Sequence, residues 1–562
     1  MFTILLGGAA GDGVETASAI LEKLLKKAGN HIFSIRDTMS RVRGGHNFVQ
    51  IRFGPEPLHG HRPELHGILA INEESFSLHK DRLRTDGFLI CDAALNIEDP
   101  RAIKLPLRET AKRLGNPRLV GSMAVGALLK IFGQPLDGAR DVLESSLKQK
   151  LADANLAALE EGYALVPARF STKPVSLAEY VLVNGNTATA LGAIAAGVNF
   201  FAAYPMSPAT AIMEYLAARG KEMSIDVEQA EDEIAAITMA LGASFAGARA
   251  MTASSGGGFS LMVESLGFAG IGEIPVVIVD VQRPGPATGM ATRTEQSDLK
   301  FAISASQGEF PRMVIAFRHQ ADAFYQTVRA FEIAQEYQMP VILLSDQYVA
   351  ESSATVPLFS PPAAPPHAFD AESAITPDAN GVYRRYMFTE SGISPRLVPG
   401  QSGHLVRSGS HEHDEYGKIT ESPELRRKMM DKRLGKLRLL QSHLLEPDFF
   451  GDEDCQTLLV GFGSTYGPIR EAVSLLNASG GKYGALVFGD IFPLPVKLLM
   501  RFAAQAKEII NVEQNATGQL ASLLRETACV SCSGSILKYD GRQMTADDII
   551  RELRHLKEGA PQ

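Results

Sequence analysis

The chain has 562 residues, which at roughly 100–200 residues per domain predicts about three or four domains, and 45% of its residues are hydrophobic against 21% charged. Such a mix suits several buried cores, and no apolar run approaches the ~18–20 residues of a membrane span. A net charge of −9 with interleaved signs argues against a nucleic-acid platform, and a count of 4 cysteines excludes a disulfide scaffold.

From the amino terminus, MFTILLGGAAGDG lacks the basic region of a signal peptide and reads as a strand running into a glycine turn. Phe2–Leu6 is the β-like run, and Val14 to Ala28 carries apolar residues at helical spacing. Strand, glycine turn and helix open a βαβ unit. Further strands are predicted at 47–53, 67–71 and 87–91, completing a first segment over 1–170.

The second segment, 178–355, opens with a strand at 180–184 and a helix of small residues from 187 to 196. It continues through alternating signals at 200–203, 228–241, 250–252, 275–281 and 339–345. Residues 356–450 change character: Pro357, Pro361, Pro362, Pro365 and Pro366 crowd their start, and a charged helix follows near 423–440. That composition predicts an extended linker wrapping the surface without a core of its own. The last segment, 451–562, alternates strands at 457–462, 485–488 and 508–513 with a helix at 466–476. The fold class is therefore α/β, with three α/β domains and a long linker.

The cysteines are Cys91, Cys455, Cys529 and Cys532, which fits a reducing cytoplasm as the expected location. Cys529 and Cys532 form a lone CxxC, which reads as a packed strand-end pair in preference to a metal or redox site. No metal site is expected on this chain, since a resident [4Fe–4S] centre normally takes four grouped thiolates.

Several turns carry chemistry. Gly7–Gly13 is glycine-rich but spaced Gly8-x-x-Gly11-x-Gly13, not in the dinucleotide order G-x-G-x-x-G. A nicotinamide or flavin reading fails on that order. Gly11-Asp12-Gly13 also mimics the start of a GDG…N magnesium motif, but Asn30 and Asn47 miss the position of its asparagine. Arg41, Arg43, Gly44 and Gly45 precede a strand, where guanidinium forks can face phosphates. Together with Gly11, Asp12 and Gly13 they suit a large phosphorylated ligand such as coenzyme A.

Tyr204-Pro205-Met206-Ser207-Pro208 follows a buried-strand run, so it should form a turn at the strand's carboxyl end and present Ser207. The plainer alternative is a helix start with Ser207 as its cap. Glu228, Glu231, Asp232 and Glu233 crowd the start of a helix, ordinarily as dipole-complementing surface charges. Glu233, which leads into the apolar part, is the one expected to turn inward. Ser254-Ser255-Gly256-Gly257-Gly258 is another close-approach turn, and Arg283 and Arg293 follow a further strand.

Read together, GGAAGDG, RVRGGHN, YPMSP, the glutamate helix ending at Gly242, SSGGGFSLM, QRPGPATG, EHDEYG and the Gly518-Gln-Leu520 run resemble the 2-oxoacid:ferredoxin oxidoreductases. The resemblance covers nearly the whole chain and is to the α subunit with a γ domain fused at its amino terminus. It implies a γ domain, a pyrimidine-binding domain for thiamine diphosphate, a linker and a transketolase C-terminal-like domain. It implies that Glu233 meets the aminopyrimidine, that Ser207 binds the substrate carboxylate where the family commonly has Thr in YPITP, and that Arg283, or alternatively Arg293, pairs with that carboxylate. Tyr204, Pro205, Gly256 and Gly257 would border the cofactor. A separate β subunit would hold the diphosphate, Mg2+ and a [4Fe–4S] cluster in an (αβ)2 assembly that reduces ferredoxin. The expected reaction is CoA-dependent oxidative decarboxylation, with 2-oxoglutarate as the favoured substrate. Pyruvate, branched-chain and aryl 2-oxoacids are the alternatives, and a non-catalytic assembly or regulatory subunit is the rival of another class.

Overall fold

The computed structural model describes residues 1–39, 45–361 and 381–558, arranged in two compact units. The first comprises Met1–Asn184, Glu351–Leu358 and Thr545–Asp548. Its sheet runs Ala102–Leu105, Leu83–Asp92, Leu65–Ala70, Phe2–Ala9, His46–Gly54, His31–Asp37, Ser353–Pro357 and Tyr180–Asn184. Phe2–Ala9 lies parallel to Leu65–Ala70 and antiparallel to His46–Gly54, so the sheet is mixed. Ala17, Ile20, Leu21, Leu24 and Leu25 form the buried stripe of helix Val14–Lys27, as the apolar spacing requires.

Helix Val120–Ile131 is buried along almost its whole length, and glycines let it meet helix Gln149–Ala164 at backbone distance. A methyl group on Gly126 would collide with the Leu159 carbonyl, and one on Gly162 with the Met123 carbonyl. The last two strands of the sheet come from chain segments far apart. Ser353–Pro357 pairs antiparallel with both His31–Asp37 and Tyr180–Asn184, and Thr355 Oγ1 accepts the Ile32 N–H at 3.0 Å.

The second unit comprises Gly185–Ala350, Phe359–Met544 and Ile549–Gln562. Its larger sheet runs Asp490–Phe492, Met313–Ala316, Pro340–Asp346, Val276–Gln282, Ala250–Ser254, Phe200–Ala203 and Asp226–Gln229. All neighbours are parallel except Asp490–Phe492. Every residue of Val276–Gln282 and Pro340–Asp346 is buried, as expected for parallel strands covered on both faces. The smaller sheet runs Asp448–Gly451, Tyr483–Phe488, Thr457–Phe462, Glu508–Glu513 and Gly534–Leu537, with Asp448–Gly451 as its antiparallel edge. One apolar cluster joins the two sheets, from Ile278 and Ile342 to Leu458, Val460 and Leu486.

Residues 381–422 contain no helix or strand beyond a bridge between His413 and Ile419, and they lead into helix Pro423–Leu440. Low apolar content reads as a solvated wrap, yet several of this segment's charged side chains are buried. Lys432 and Lys436 both donate to the Glu273 carboxylate, Lys432 at 2.5 Å, and all three side chains are at most 2% exposed. Arg385 donates to the Glu273 carbonyl at 2.7 Å and to Gln338 Oε1 at 2.9 Å. Two ammonium groups on one carboxylate hold Glu273 well below the ordinary carboxylate range against the cost of its burial. Burial and the neighbouring cations push Lys432 down to about 8. Glu273→Gln leaves two lysines buried without a counter-charge, which should cost about 3–5 kcal/mol. Urea unfolding followed by circular dichroism checks this; an unchanged midpoint would contradict it.

Candidate active site

In an open parallel sheet, turns at the strands' carboxyl ends leave side chains and backbone groups facing one crevice. Here Phe200–Ala203, Ala250–Ser254 and Val276–Gln282 end side by side in sheet order, or one strand apart. They release Tyr204–Pro208, the glycine turn 255–258 and the loop beginning at Arg283.

The first turn does not serve as a helix cap. Helix Thr210–Met223 starts behind Ala209, with no side-chain cap, so the exposed Ser207 hydroxyl is left to solvent. Buried Asn186 donates to the Pro208 carbonyl at 2.9 Å and holds the end of the turn. Arg283 Nη1 donates to the Ser207 carbonyl at 2.7 Å, which brings these two candidates together. Arg293 lies elsewhere on its loop: it donates to the Thr292 carbonyl at 3.0 Å and packs against Gly541.

Of the four clustered acids, Glu228 and Glu231 are exposed, and Asp232 caps helix Glu233–Phe245 by accepting the Ala235 N–H at 2.8 Å. Glu233, 3% exposed, turns inward. Ser254 Oγ lies 3.4 Å from Glu233 Oε1 as its hydrogen-bond donor and 3.7 Å from the Met206 sulfur. That hydroxyl therefore ties Glu233 to the turn containing Tyr204 and Pro205.

The three glycines have distinct surroundings. A side chain on Gly258 would collide with both the Glu233 carboxyl and Ser254 Oγ, and one on Gly256 with the Asp298 carboxyl. A methyl group on Gly257 would fit without collision, in ordinary contact with the Ala287 carbonyl at 3.7 Å. Reading the sequence alone singled out the turn and Glu233 but missed Ser254 as the donor, Asn186 as the brace, and Asp298. The signal for Ser254 was available: a parallel strand's last residue, just before a glycine turn, faces the crevice.

In the amino-terminal unit, Gly11 and Gly13 adopt φ of 100° and 83°, conformations that favour glycine. Asp12 Oδ2 accepts the Ala9 N–H at 2.8 Å and closes the turn ahead of helix Val14–Lys27. Gly45 has φ of 75°; Arg41, Arg43 and Gly44 lie outside the described residues. Cys529 sits at the carboxyl end of helix Gln519–Ala528, and burial with the nearby Glu513 charge pushes the Cys532 thiol up to about 11, away from reactive thiolate chemistry. Among the described residues, no group of three or more His, Cys, Asp or Glu side chains could hold a metal ion.

Comparisons with known proteins give the chain's family. Residues 191–432 match a family described as pyruvate flavodoxin/ferredoxin oxidoreductase, thiamine diphosphate-binding. Residues 3–165 match pyruvate ferredoxin/flavodoxin oxidoreductase, and 455–549 match pyruvate:ferredoxin oxidoreductase core domain II. The chain is 32% identical to a 2-oxoacid:ferredoxin oxidoreductase subunit alpha from Sulfolobus sp, over 99% of this chain and 97% of that one. It is 33% identical to the 2-oxoglutarate oxidoreductase subunit KorA of Mycobacterium tuberculosis, over 79% of this chain and 69% of that one. A 2-oxoglutarate:ferredoxin oxidoreductase from Magnetococcus marinus, solved with 2-oxoglutarate, coenzyme A and succinyl-CoA bound, superposes with a TM-score of 0.91 at 31% identity, covering 99% of each chain.

Fold and site thus define an oxidoreductase subunit with a thiamine diphosphate-binding α/β domain. The chain belongs to the 2-oxoacid:ferredoxin oxidoreductase family, as an α subunit.

The glycine contacts make a direct prediction. Gly258→Ala should displace the Glu233 carboxyl and weaken thiamine diphosphate binding by about tenfold or more, the equivalent of ~1.4 kcal/mol. Calorimetric titration of the assembled enzyme reads this, and an unaltered affinity would contradict it.

Proposed function

We propose that this α subunit serves a CoA-dependent 2-oxoglutarate:ferredoxin oxidoreductase, which converts 2-oxoglutarate to succinyl-CoA and CO2 as ferredoxin is reduced. The observation that carries the reading is the buried Glu233, with one hydroxyl donor and a glycine turn packed beside it. Thiamine diphosphate fits this arrangement, because a carboxyl group there can pair with a ring nitrogen of the aminopyrimidine. Gly256 and Gly257 leave backbone for the ring to approach, while Tyr204 and Pro205 border it. When bound, the cofactor supplies a nucleophilic carbon and an electron sink for the 2-oxoacid.

This chain's residues then position and neutralise. Glu233 holds a hydrogen at the ring nitrogen, and its burial keeps water from competing for that contact. The Ser207 hydroxyl and the Arg283 guanidinium receive the substrate carboxylate adjoining the keto group. 2-Oxoglutarate carries a second carboxylate, so it asks for a further cation, and Arg293 on the same loop is our candidate. The M. marinus enzyme, similar over the whole chain, supports that substrate.

Other roles follow from the family. Large apolar side chains stand exposed on the segments that build the site: Tyr204 41%, Ile234 49%, Met239 41%, Leu261 48% and Met290 48%. We assign their cover to a β subunit, which would also hold the diphosphate, Mg2+ and a [4Fe–4S] cluster, with two αβ pairs in the cytoplasmic enzyme. We assign CoA contact to the segment 1–170, through the turn at Gly11, Asp12 and Gly13 and the stretch containing Arg41, Arg43, Gly44 and Gly45. Backbone N–H groups at a helix start favour phosphate.

Purified αβ enzyme, assayed for ferredoxin reduction with 2-oxoglutarate, pyruvate, branched-chain and aryl 2-oxoacids, tests the substrate. A preference for pyruvate would overturn the assignment. Glu233→Gln should lower kcat by about 10²-fold or more while the subunits still assemble on gel filtration. Arg283→Ala should raise KM for the 2-oxoacid by about tenfold or more, the ~1.5–3 kcal/mol expected of a charge-assisted hydrogen bond, with CoA KM unmoved.

A further inference from the structure

The smaller sheet of the second unit is parallel apart from one edge, so it too has a crevice at its strands' carboxyl ends. Strands Thr457–Phe462 and Glu508–Glu513 are neighbours and end there side by side. What enters that space is Gln296, from the loop that leaves the larger sheet at Arg283. Gln296 is 1% exposed, and all its polar groups are bonded to the ends of those two strands. Its N–H donates to the Gln514 carbonyl at 2.7 Å, and its carbonyl accepts Asn515 Nδ2 at 3.1 Å. The side chain repeats the pattern: Oε1 accepts the Gln514 N–H at 3.1 Å, and Nε2 donates to the Phe462 carbonyl at 2.8 Å. A methyl group on Gly463 would come within 3.0 Å of that Nε2, so the glycine after the strand leaves the room.

The partners are themselves held. Gln514 Nε2 donates to Gln543 Oε1 at 2.9 Å, and Gln514 Oε1 accepts the Met544 N–H at 2.7 Å. Asn515 Oδ1 accepts the Gly518 N–H at 2.8 Å, which turns its Nδ2 towards Gln296. Beyond Gln296 the grip continues: Gln519 Nε2 donates to the Ser297 carbonyl at 2.7 Å, and Gln519 Oε1 accepts the Lys300 N–H at 2.9 Å. The loop is also tied to its own origin, because Gln282 Oε1 accepts the Asp298 N–H at 3.0 Å.

Arg293 stands between this held half and the exposed tip at 285–290. Gly541, with φ of 75°, packs against its stem: a methyl group there would lie 3.3 Å from Arg293 Cβ. Apolar packing joins the two sheets elsewhere, through Ile278, Ile342 and Val460. Such packing has no direction, whereas hydrogen bonds through every polar group of one residue fix both position and angle.

We propose that the crevice of the carboxyl-terminal domain takes this chain's own loop as its ligand, with Gln296 inserted, and thereby positions Arg293 for the second carboxylate of the 2-oxoacid. The carboxylate half rests on the reading given under Proposed function. Gln296, Gln514, Asn515 and Gln519 are positioning residues, which act through Arg293. A glutamine suits the inserted place because its side chain both donates and accepts. A glutamate there would set an acceptor against the Phe462 carbonyl.

The test is a double-mutant cycle in the αβ enzyme, with Gln296→Ala, Arg293→Ala and the two together. Gln296→Ala should raise the KM for 2-oxoglutarate by about tenfold, with the KM for CoA unmoved. The double variant should exceed Arg293→Ala by less than about twofold, since one residue acts through the other. An unchanged KM for 2-oxoglutarate in Gln296→Ala, or effects that multiply in the double variant, would overturn the positioning role. Hydrogen exchange of the full chain reads the loop itself. Amides at 296–300 should exchange more slowly than those of the tip at 285–290 and lose that protection in Gln296→Ala; equal rates in the wild type would overturn the inserted loop. Should Gln296→Ala not fold, the half-buried Gln519→Ala takes its place in the cycle with the same expectations. An Arg293→Ala enzyme with unchanged KM for 2-oxoglutarate would remove the carboxylate reading while protected amides left the inserted loop standing, so the two failures are distinguishable.

Discussion

The Glu233 carboxyl and the Gly258 backbone occupy adjoining space at the carboxyl end of the parallel sheet, and a side chain on Gly258 would displace that carboxyl and Ser254 Oγ. The geometry of the candidate site depends on that contact. The Glu233 side chain reaches the crevice because Asp232 caps its helix and starts it at that height. Ser254 reaches it because it ends a strand whose register is set by buried neighbours on both sides. A side chain at Gly258 would disturb the strand-end hydroxyl of Ser254 and the Glu233 carboxyl together, so this glycine is a packing constraint before it is a binding feature.

Much of this was legible in the residues. The central strands of the larger sheet are mostly apolar runs, and Tyr180–Asn184, Phe200–Ala203, Thr457–Phe462, Glu508–Glu513 and helix Pro423–Leu440 fall where the pattern puts them. The turn containing Ser207 was open to two readings, and the cap at Ala209 separates them. Strands His31–Asp37, Ala102–Leu105 and Ser353–Pro357 were not anticipated, for a physical reason. They are short or interrupted by polar residues, and what makes them strands is a pairing partner distant in the chain. Ser353–Pro357 exists as a strand because Phe33, Ser34 and residues 180–184 offer it two open edges.

Side-chain burial was the harder quantity. Charged residues in a proline-rich segment ordinarily mark a solvated face, yet Arg385, Lys432, Arg433 and Lys436 are all buried. Helical spacing places Lys432 and Lys436 one turn apart on one face, but nothing in that spacing says that a carboxylate waits opposite. Glu273 comes from a loop more than a hundred residues away, and the partnership shows itself when the chain is folded.

The second unit therefore uses buried carboxylates in two electrically opposite ways. Around Glu273 positive charge is in excess, so the acid stays ionised and the lysines bear the strain of burial. That arrangement ties a segment with little apolar surface to the fold, and Lys432 keeps its charge up to about pH 8. Asp280 and Asp298 have no such partner for their buried oxygens, and burial itself pushes both carboxyls up. Carboxyls of that kind add less to stability as pH rises than apolar residues of similar volume would.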